Sequence, residues 1–209
     1  MAIAQALLDE LWDFSDPVAS EARLRAAAES EMDADSRGEL ETQVARALGL
    51  QERYDHADGV LDGIRSQSVA VGVRVALERG RLRNSAGEPA AAVPLFRAAA
   101  EAASGDELAF LRVDALHMLA IADTQHSPAW TARALAVLDA GGDDRTQRWR
   151  VGLHNNAGWA LFDAEDFVGA IAEFERARDA AVRWGTPQQL TWADEALAEA
   201  RASLDAYGR

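Results

Sequence analysis

Apolar residues recur at intervals of three or four along almost the whole chain, and polar or glycine-containing breaks interrupt them every 12 to 20 residues. Such intervals place apolar side chains on one face of an α-helix. The pattern therefore predicts an all-α protein in which short loops join the helices and no sheet is present. The predicted helices cover residues 2–14, 17–30, 37–50, 54–66, 69–84, 88–103, 106–123, 128–140, 144–163, 167–184 and 187–206.

Several of the breaks contain residues that favour the start of a helix. Ser36–Glu39, Ser104–Glu107 and Thr186–Gln189 fit the capping box, in which a hydroxyl and a Glu or Gln each bind a free backbone amide. Asp16 and Ser127 each precede a Pro, which suits the first position of a helix. These five places predict where five of the helices begin.

Two segments share one spacing, in which a Gly is followed after twelve residues by Ala, after four more by Phe and after three more by Ala. The positions are Gly80, Ala92, Phe96 and Ala99 in one segment, and Gly158, Ala170, Phe174 and Ala177 in the other. A small residue in each helix allows two helices to cross closely, and a bulky residue fills the gap beside them. Weaker copies of the frame fall at Ala45, Ala57, Leu61 and Ile64, at Leu8, Ser20, Leu24 and Ala27, and at Ala132 with Asp139 in place of the last Ala.

This recurrent spacing resembles the tetratricopeptide repeat, and the chain as a whole is similar to stand-alone bacterial proteins of that family. The resemblance implies a right-handed α-α superhelix, a solenoid of about five helix pairs with a C-terminal capping helix. It implies one domain over residues 1–209. The expected repeats cover about 1–30, 37–66, 69–103, 106–140 and 144–184, and the expected cap covers 187–206.

In the family, the first helix of each pair lines a concave groove that binds a protein or peptide. The resemblance therefore implies a binding role for residues at the matching positions, with Leu77, Asp114 and Ile121 on the same wall. The candidate groove residues are Gln43, Arg46, Arg74, Arg81, His117, Asn155, Trp159 and Phe162. The family's co-chaperones hold a terminal carboxylate with a set that includes Lys, and this chain has no Lys.

Two arginines of this set, Arg74 and Arg81, are seven residues apart and share a helix face. One interpretation is a partly basic cradle that grips an acidic segment, with Trp159 and Phe162 as apolar anchors. The alternative is that both arginines pair with Glu78 and neighbouring acids of the same chain. The other five tryptophans are expected to fill helix ends and pair junctions, and these are Trp12, Trp130, Trp149, Trp184 and Trp192.

Charge and composition restrict the class of partner. The chain carries 35 acidic residues and 21 basic residues, and every basic residue is Arg. The net charge is −14. A nucleic acid backbone would be repelled at long range, so we expect no nucleic acid partner. No apolar stretch reaches membrane-spanning length, and the N-terminal residues lack the features of a secretory signal. We therefore expect a cytoplasmic protein without a membrane partner.

Catalytic motifs are not found in the sequence. Cys is absent, and no phosphate loop, dinucleotide-binding glycine motif or Gly-x-Ser-x-Gly elbow occurs. The four His lie in different segments of the sequence. A metal site formed by His117, His154 and Asp114 is the alternative to a chain without metal. We predict a binding protein without catalysis, cofactor or metal. A homo-oligomerisation module, such as a homodimer, and a regulatory domain that senses a small ligand are the alternatives.

Overall fold

The computed structural model describes residues 5–207, and the regular secondary structure in that range is entirely helical. This confirms the predicted all-α class, although the expected start of the first helix at residues 2–4 lies outside the described residues. No helix in the described range is both long and apolar enough to cross a membrane. The α-helices are α1 (Gln5–Leu11), α2 (Pro17–Ser30), α3 (Ala34–Leu50), α4 (Tyr54–Gly63), α5 (Val69–Ser85), α6 (Pro89–Ala102), α7 (Ala109–Ala122), α8 (Ser127–Asp139), α9 (Asp144–Gln147), α10 (Trp149–Asp163), α11 (Phe167–Trp184) and α12 (Pro187–Tyr207).

Two of the five predicted helix starts are confirmed by their hydrogen bonds. The Thr186 amide donates to Gln189 Oε1 at 3.0 Å, and the Gln189 amide donates to Thr186 Oγ1 at 3.2 Å, which together form a capping box. The Asp16 carboxylate accepts from the Ala19 amide at 2.9 Å and begins α2. In both places the capping side chain and the following Pro are adjacent in sequence, so a short stretch of sequence is enough to predict the helix start.

The other three predicted caps are wrong, although the helical segments expected from 106 and 128 begin at Asp106 and Ser127. Ser36 lies inside α3, because the Asp33 carboxylate accepts from the Ser36 amide at 2.8 Å and begins the helix three residues earlier. Ser127 is the first residue of α8 and not its cap. Ser104 caps nothing, since a 3-10 turn at Asp106–Leu108 precedes α7.

The described residues form two compact units, one up to Gln125 and one from His126 onward. Within the first unit consecutive helices pack in pairs, α2 on α3, α3 on α4, α5 on α6 and α6 on α7. Within the second unit α10 packs on α11 and α11 on α12. The division falls inside the predicted repeat 106–140, and one continuous domain over 1–209 stays a prediction.

A phenylalanine ring lies directly on a glycine in two of these helix pairs. A Cβ built on Gly80 of α5 would come within 2.4 Å of Phe96 Cε1 of α6, and a Cβ on Gly158 of α10 would come within 2.4 Å of Phe174 Cε1 of α11. Both rings are fully buried. The small residue in the first helix is therefore required by close packing, as the sequence spacing predicted.

The α3–α4 pair has different residues at the positions that correspond to this glycine and phenylalanine. Ala45 stands where the other pairs have Gly, and Leu61 stands where they have Phe; both are buried in one core cluster. A larger residue in the first helix is thus matched by a smaller one in the second. The buried Ala57, Ala92 and Ala170 keep the intermediate position small in all three pairs.

The frame proposed for α8 is wrong by two residues. Ala132 and Asp139 are exposed, whereas Trp130, Ala134 and Leu138 are buried. The 3-10 turns at Asp106–Leu108 and Thr124–His126 add residues before α7 and α8, so the spacing between these helices differs from that in the other pairs. An alignment by spacing alone cannot place α8 across such turns.

Replacing Gly158 with Ala should lower the free energy of unfolding by about 1–3 kcal/mol, because the new methyl group would overlap the buried Phe174 ring. The matched control is Gly59→Ala in α4, where a Cβ meets no atom within 4 Å. There the higher helix propensity of Ala should raise stability by up to about 1 kcal/mol.

Urea denaturation of the two variants measures the difference. Adding Phe174→Leu to Gly158→Ala imitates the Ala45–Leu61 pair, so the double variant should be more stable than the sum of the single effects. Equal stability of Gly158→Ala and Gly59→Ala would contradict the packing argument.

Candidate functional site

The eight residues expected to line a groove divide between the two units, and each group is described within its own unit. Gln43, Arg46, Arg74, Arg81 and His117 lie in the first unit, on α3, α5 and α7. The other three lie on α10 of the second unit, and they are Asn155, Trp159 and Phe162.

In the first unit, Arg74 of α5 forms a buried ion pair with α3. Its Nε donates to Glu39 Oε2 at 3.0 Å, and the two side chains are only 8% and 1% exposed. Burial removes the water that would solvate each charge, so each depends on the other for compensation. Arg74 is therefore committed to a carboxylate of its own chain.

Arg81 forms two ion pairs. Its guanidinium donates to Glu78 of the same helix and to Asp114 of α7, each at 2.5 Å. Burial lowers the pKa of Arg81, but the two carboxylates more than compensate and hold the pKa above its ordinary value. Burial likewise raises the pKa of Asp114, and the guanidinium groups of Arg81 and Arg46 outweigh it, so that the pKa is lowered. The pair with Asp114 links α5 to α7, whereas the pair with Glu78 lies within α5.

Arg46 and Gln43 contact the segment that follows α1. The Trp12 Nε1–H donates to Gln43 Oε1 at 3.1 Å. The Arg46 guanidinium lies 5.9 Å from the Trp12 ring centre and 5.5 Å from that of Phe14, and these two rings are stacked. Both side chains thus help to hold α1 and the turn after it against α3.

A cavity of about 160 Å³ remains beside this cluster of charges. Arg46, Glu78, Arg81 and Met118 contribute to its lining. Ligand pockets usually enclose about 300–1,000 Å³, so this space is small for a ligand.

The expected basic cradle is therefore revised. Of its arginines, Arg74 and Arg81 form ion pairs within the chain, as the alternative interpretation proposed, but on a buried face and not on a solvated one. The facing acids Glu39 and Asp114 belong to the neighbouring helices, and no pattern along one helix shows that they come within reach.

In the second unit, a pocket of about 400 Å³ lies between α10 and α12. Small apolar, aromatic and polar residues all contribute to its lining. The lining residues are Val151, Gly152, Asn155, Trp159, Gln189, Trp192, Ala193, Glu195, Ala196 and Glu199. Two of the three residues predicted on α10 therefore line an open pocket.

Phe162 is the exception. It does not line the pocket; its ring makes edge contacts with Trp159 at 5.3 Å and with Phe167 at 5.2 Å between ring centres. Phe162 is half-buried and packs against the core cluster that contains Ala170 and Phe174, so its expected role as a ligand anchor stays a prediction. The contact with Phe162 helps to position the Trp159 ring, whose centre also lies 5.1 Å from that of the Phe174 ring.

The second wall of the pocket was missed by sequence reasoning. Trp192 was expected to fill a junction, yet it is 57% exposed and lines the pocket. Trp192, Glu195 and Glu199 are spaced by three and four residues, which places them on one face of α12. That spacing is the signal in the sequence that indicates a common surface on this helix.

The acidic groups of this wall have no cation beside them. Glu195 and Glu199 are exposed, and neither forms an ion pair within residues 5–207. By contrast, Asp194 of the same helix pairs with Arg178 at 2.6 Å. Two uncompensated carboxylates next to two tryptophans give the pocket a negative rim and an apolar interior.

His154, considered as a metal ligand with His117, lies in a different unit from that residue. Its Nδ1 is 2.7 Å from Glu173 Oε2. In the part of the chain that the structure describes, no group of three His, Asp or Glu side chains is arranged to hold a metal ion.

Comparison with protein-family models found no match to this chain, and comparison with curated proteins found none either.

Replacing Arg81 with Met should lower the free energy of unfolding by about 3–5 kcal/mol, because Glu78 and Asp114 would remain buried without their cation. The control is Arg201→Met, which removes an exposed arginine that pairs with Glu175 and should cost at most about 1 kcal/mol. Denaturation of both variants compares them. A cost below that of the control would show that the buried pairs do not hold α5 to α7.

The protein should become less stable as the pH falls from 7.5 to 5.5. Burial lowers the pKa of His117, which outweighs the opposing effect of Asp114, so the folded state binds a proton less readily than the unfolded chain. Stability is therefore lost as the pH falls through the unfolded value of about 6.5. His117→Gln should reduce the difference in unfolding free energy between the two pH values. His56→Gln, which removes an exposed imidazole, is the control, and an equal effect of both substitutions would refute the assignment.

Proposed function

We propose that this protein binds a segment of another protein in the pocket between α10 and α12, and that it acts by binding without catalysis. The observation that carries the proposal is a pocket of about 400 Å³ with an exposed Trp192 and a half-buried Trp159 in its walls. Tryptophans in such positions often contribute most of the energy of a protein interface.

The pocket is formed before any partner arrives. Trp159 is held by edge contacts with Phe162 and Phe174, and the buried Ala193 and Ala196 pack α12 into the unit. A preformed wall lowers the entropic cost of binding, because fewer side chains must become ordered. This favours a site that accepts an extended or helical segment on its existing surface.

The tetratricopeptide relationship and the right-handed superhelix belong to the same proposal. They are supported by the consecutive helix pairs within each unit and by the Gly–Phe packing shared by the α5–α6 and α10–α11 pairs. In that class of protein, the first helix of each pair supplies ligand contacts, which is consistent with Asn155 and Trp159 lining the pocket.

A second candidate function is the binding of a small ligand. The volume of about 400 Å³ lies within the range of small-molecule pockets. A thermal-shift screen with small metabolites distinguishes the two functions: a shift by one metabolite in the absence of any peptide would favour the sensor. Light scattering tests the remaining alternative, a homodimer.

Replacing Trp192 with Ala should weaken peptide binding at least about tenfold, because its exposed ring is available to a partner. The probes are peptides selected from a randomised display library on the complete chain, and fluorescence anisotropy gives their dissociation constants. Tyr207→Ala removes an exposed aromatic outside the pocket and should leave affinity unchanged. The proposal fails if no peptide is selected or if both variants bind as tightly as the original protein.

A further inference from the structure

We propose that the segment bound between α10 and α12 is basic, and that it places an arginine side chain against Trp159 and Trp192 with its guanidinium towards Glu195 and Glu199. This inference rests on the proposed function and names the class of partner. It replaces the acidic partner expected from the sequence, because that expectation depended on Arg74 and Arg81, which are paired within the chain.

The first argument concerns the tryptophans. A guanidinium over an indole ring is attracted by the negative face of the ring, and tryptophan is the best partner for it. Within residues 5–207, at least three tryptophans have an arginine guanidinium within about 6 Å of the ring centre. The pairs are Arg46 with Trp12 at 5.9 Å, Arg133 with Trp130 at 4.8 Å, and Arg183 with Trp184 at 5.2 Å.

Trp159 and Trp192 differ from those three. Within residues 5–207 neither has an arginine over its ring, although both line an open pocket. Trp192 is 57% exposed, so its ring remains available. The pocket therefore presents two aromatic surfaces of a kind that the chain elsewhere covers with arginine.

The second argument concerns charge. Other acids of α11 and α12 are compensated, since Glu175 pairs with Arg201 and Asp194 pairs with Arg178. The carboxylates of Glu195 and Glu199 are not compensated, and they are one turn apart on the face of α12 that lines the pocket. An acidic segment would bring like charges together, whereas a basic one neutralises them.

The third argument concerns hydrogen bonding. A guanidinium has five N–H donors and no acceptor, so it requires several oxygen atoms around it. Besides the two carboxylates, the side-chain amide of Asn155 lines the pocket and makes no hydrogen bond within the described part of the chain. Lysine has three donors on a compact charge and no plane to stack on indole, so arginine suits this lining better. The net charge of −14 would also attract a basic segment at long range.

The test uses the complete chain and the randomised peptide library. The selected peptides should be enriched in arginine, and replacing the anchor arginine with citrulline, its neutral analogue, should weaken binding about tenfold or more. Replacement with glutamate should weaken it further. Affinity should also fall as salt rises from about 0.1 M to about 1 M, since the screening length falls from about 10 Å to about 3 Å.

The variant Glu195→Gln, Glu199→Gln should weaken the arginine peptide about tenfold or more and remove most of the salt dependence. The matched control is Asp194→Asn, Asp205→Asn, which removes two charges from the same helix at positions that do not line the pocket. This control should keep the original affinity. All four positions are exposed, so the substitutions should leave the fold intact, and circular dichroism checks this.

The outcomes separate the two proposals. Selected peptides without basic residues, or an unchanged affinity of the Glu195→Gln, Glu199→Gln variant, would overturn the basic partner while leaving peptide binding in place. Selection of no peptide would overturn the proposed function. If N-acetyl-arginine amide bound as tightly as the peptide, the occupant would be a small cation and not a protein segment.

Discussion

The contact of a phenylalanine ring with a glycine backbone sets the geometry of two helix pairs in this protein. Phe96 lies on Gly80 and Phe174 lies on Gly158, and in both cases even a methyl group on the glycine would overlap the ring. Helices can approach this closely only where one of them lacks a side chain. The position and orientation of the neighbouring residues follow from that approach, including Trp159, which is next to Gly158 in the chain.

The candidate pocket depends on this contact. Trp159 packs by its edge against Phe174, the same ring that covers Gly158, and Phe162 supports it from the same helix. The C-terminal helix of the described chain, α12, then adds Trp192 and two glutamates to the other wall. A change in the distance between α10 and α11 would therefore move one tryptophan of the pocket relative to the other. Helix packing and the proposed binding therefore depend on the same aromatic cluster.

Charges serve two different purposes in the two units. In the first unit, the buried Arg74 and the half-buried Arg81 pair with buried carboxylates of adjacent helices, which favours the contacts of α5 with α3 and α7. These charges are already compensated within the chain, so they offer little attraction to a charged ligand. In the second unit, Glu195 and Glu199 are exposed and uncompensated beside an apolar pocket. The difference in compensation, and not the number of charges, distinguishes the structural cluster from the candidate site.

The sequence by itself determined the all-helical class, the small residues at Gly80 and Gly158, and two of the residues that line the pocket, Asn155 and Trp159. These features depend on spacing along one helix, or on a frame repeated at nearly constant intervals, and both are visible in a linear pattern. Only the tertiary structure decided that Arg74 and Arg81 meet acids on neighbouring helices, and that α12 forms a wall of the pocket. Such contacts depend on the rotation and offset of one helix against another, and side-chain packing over the whole interface determines both.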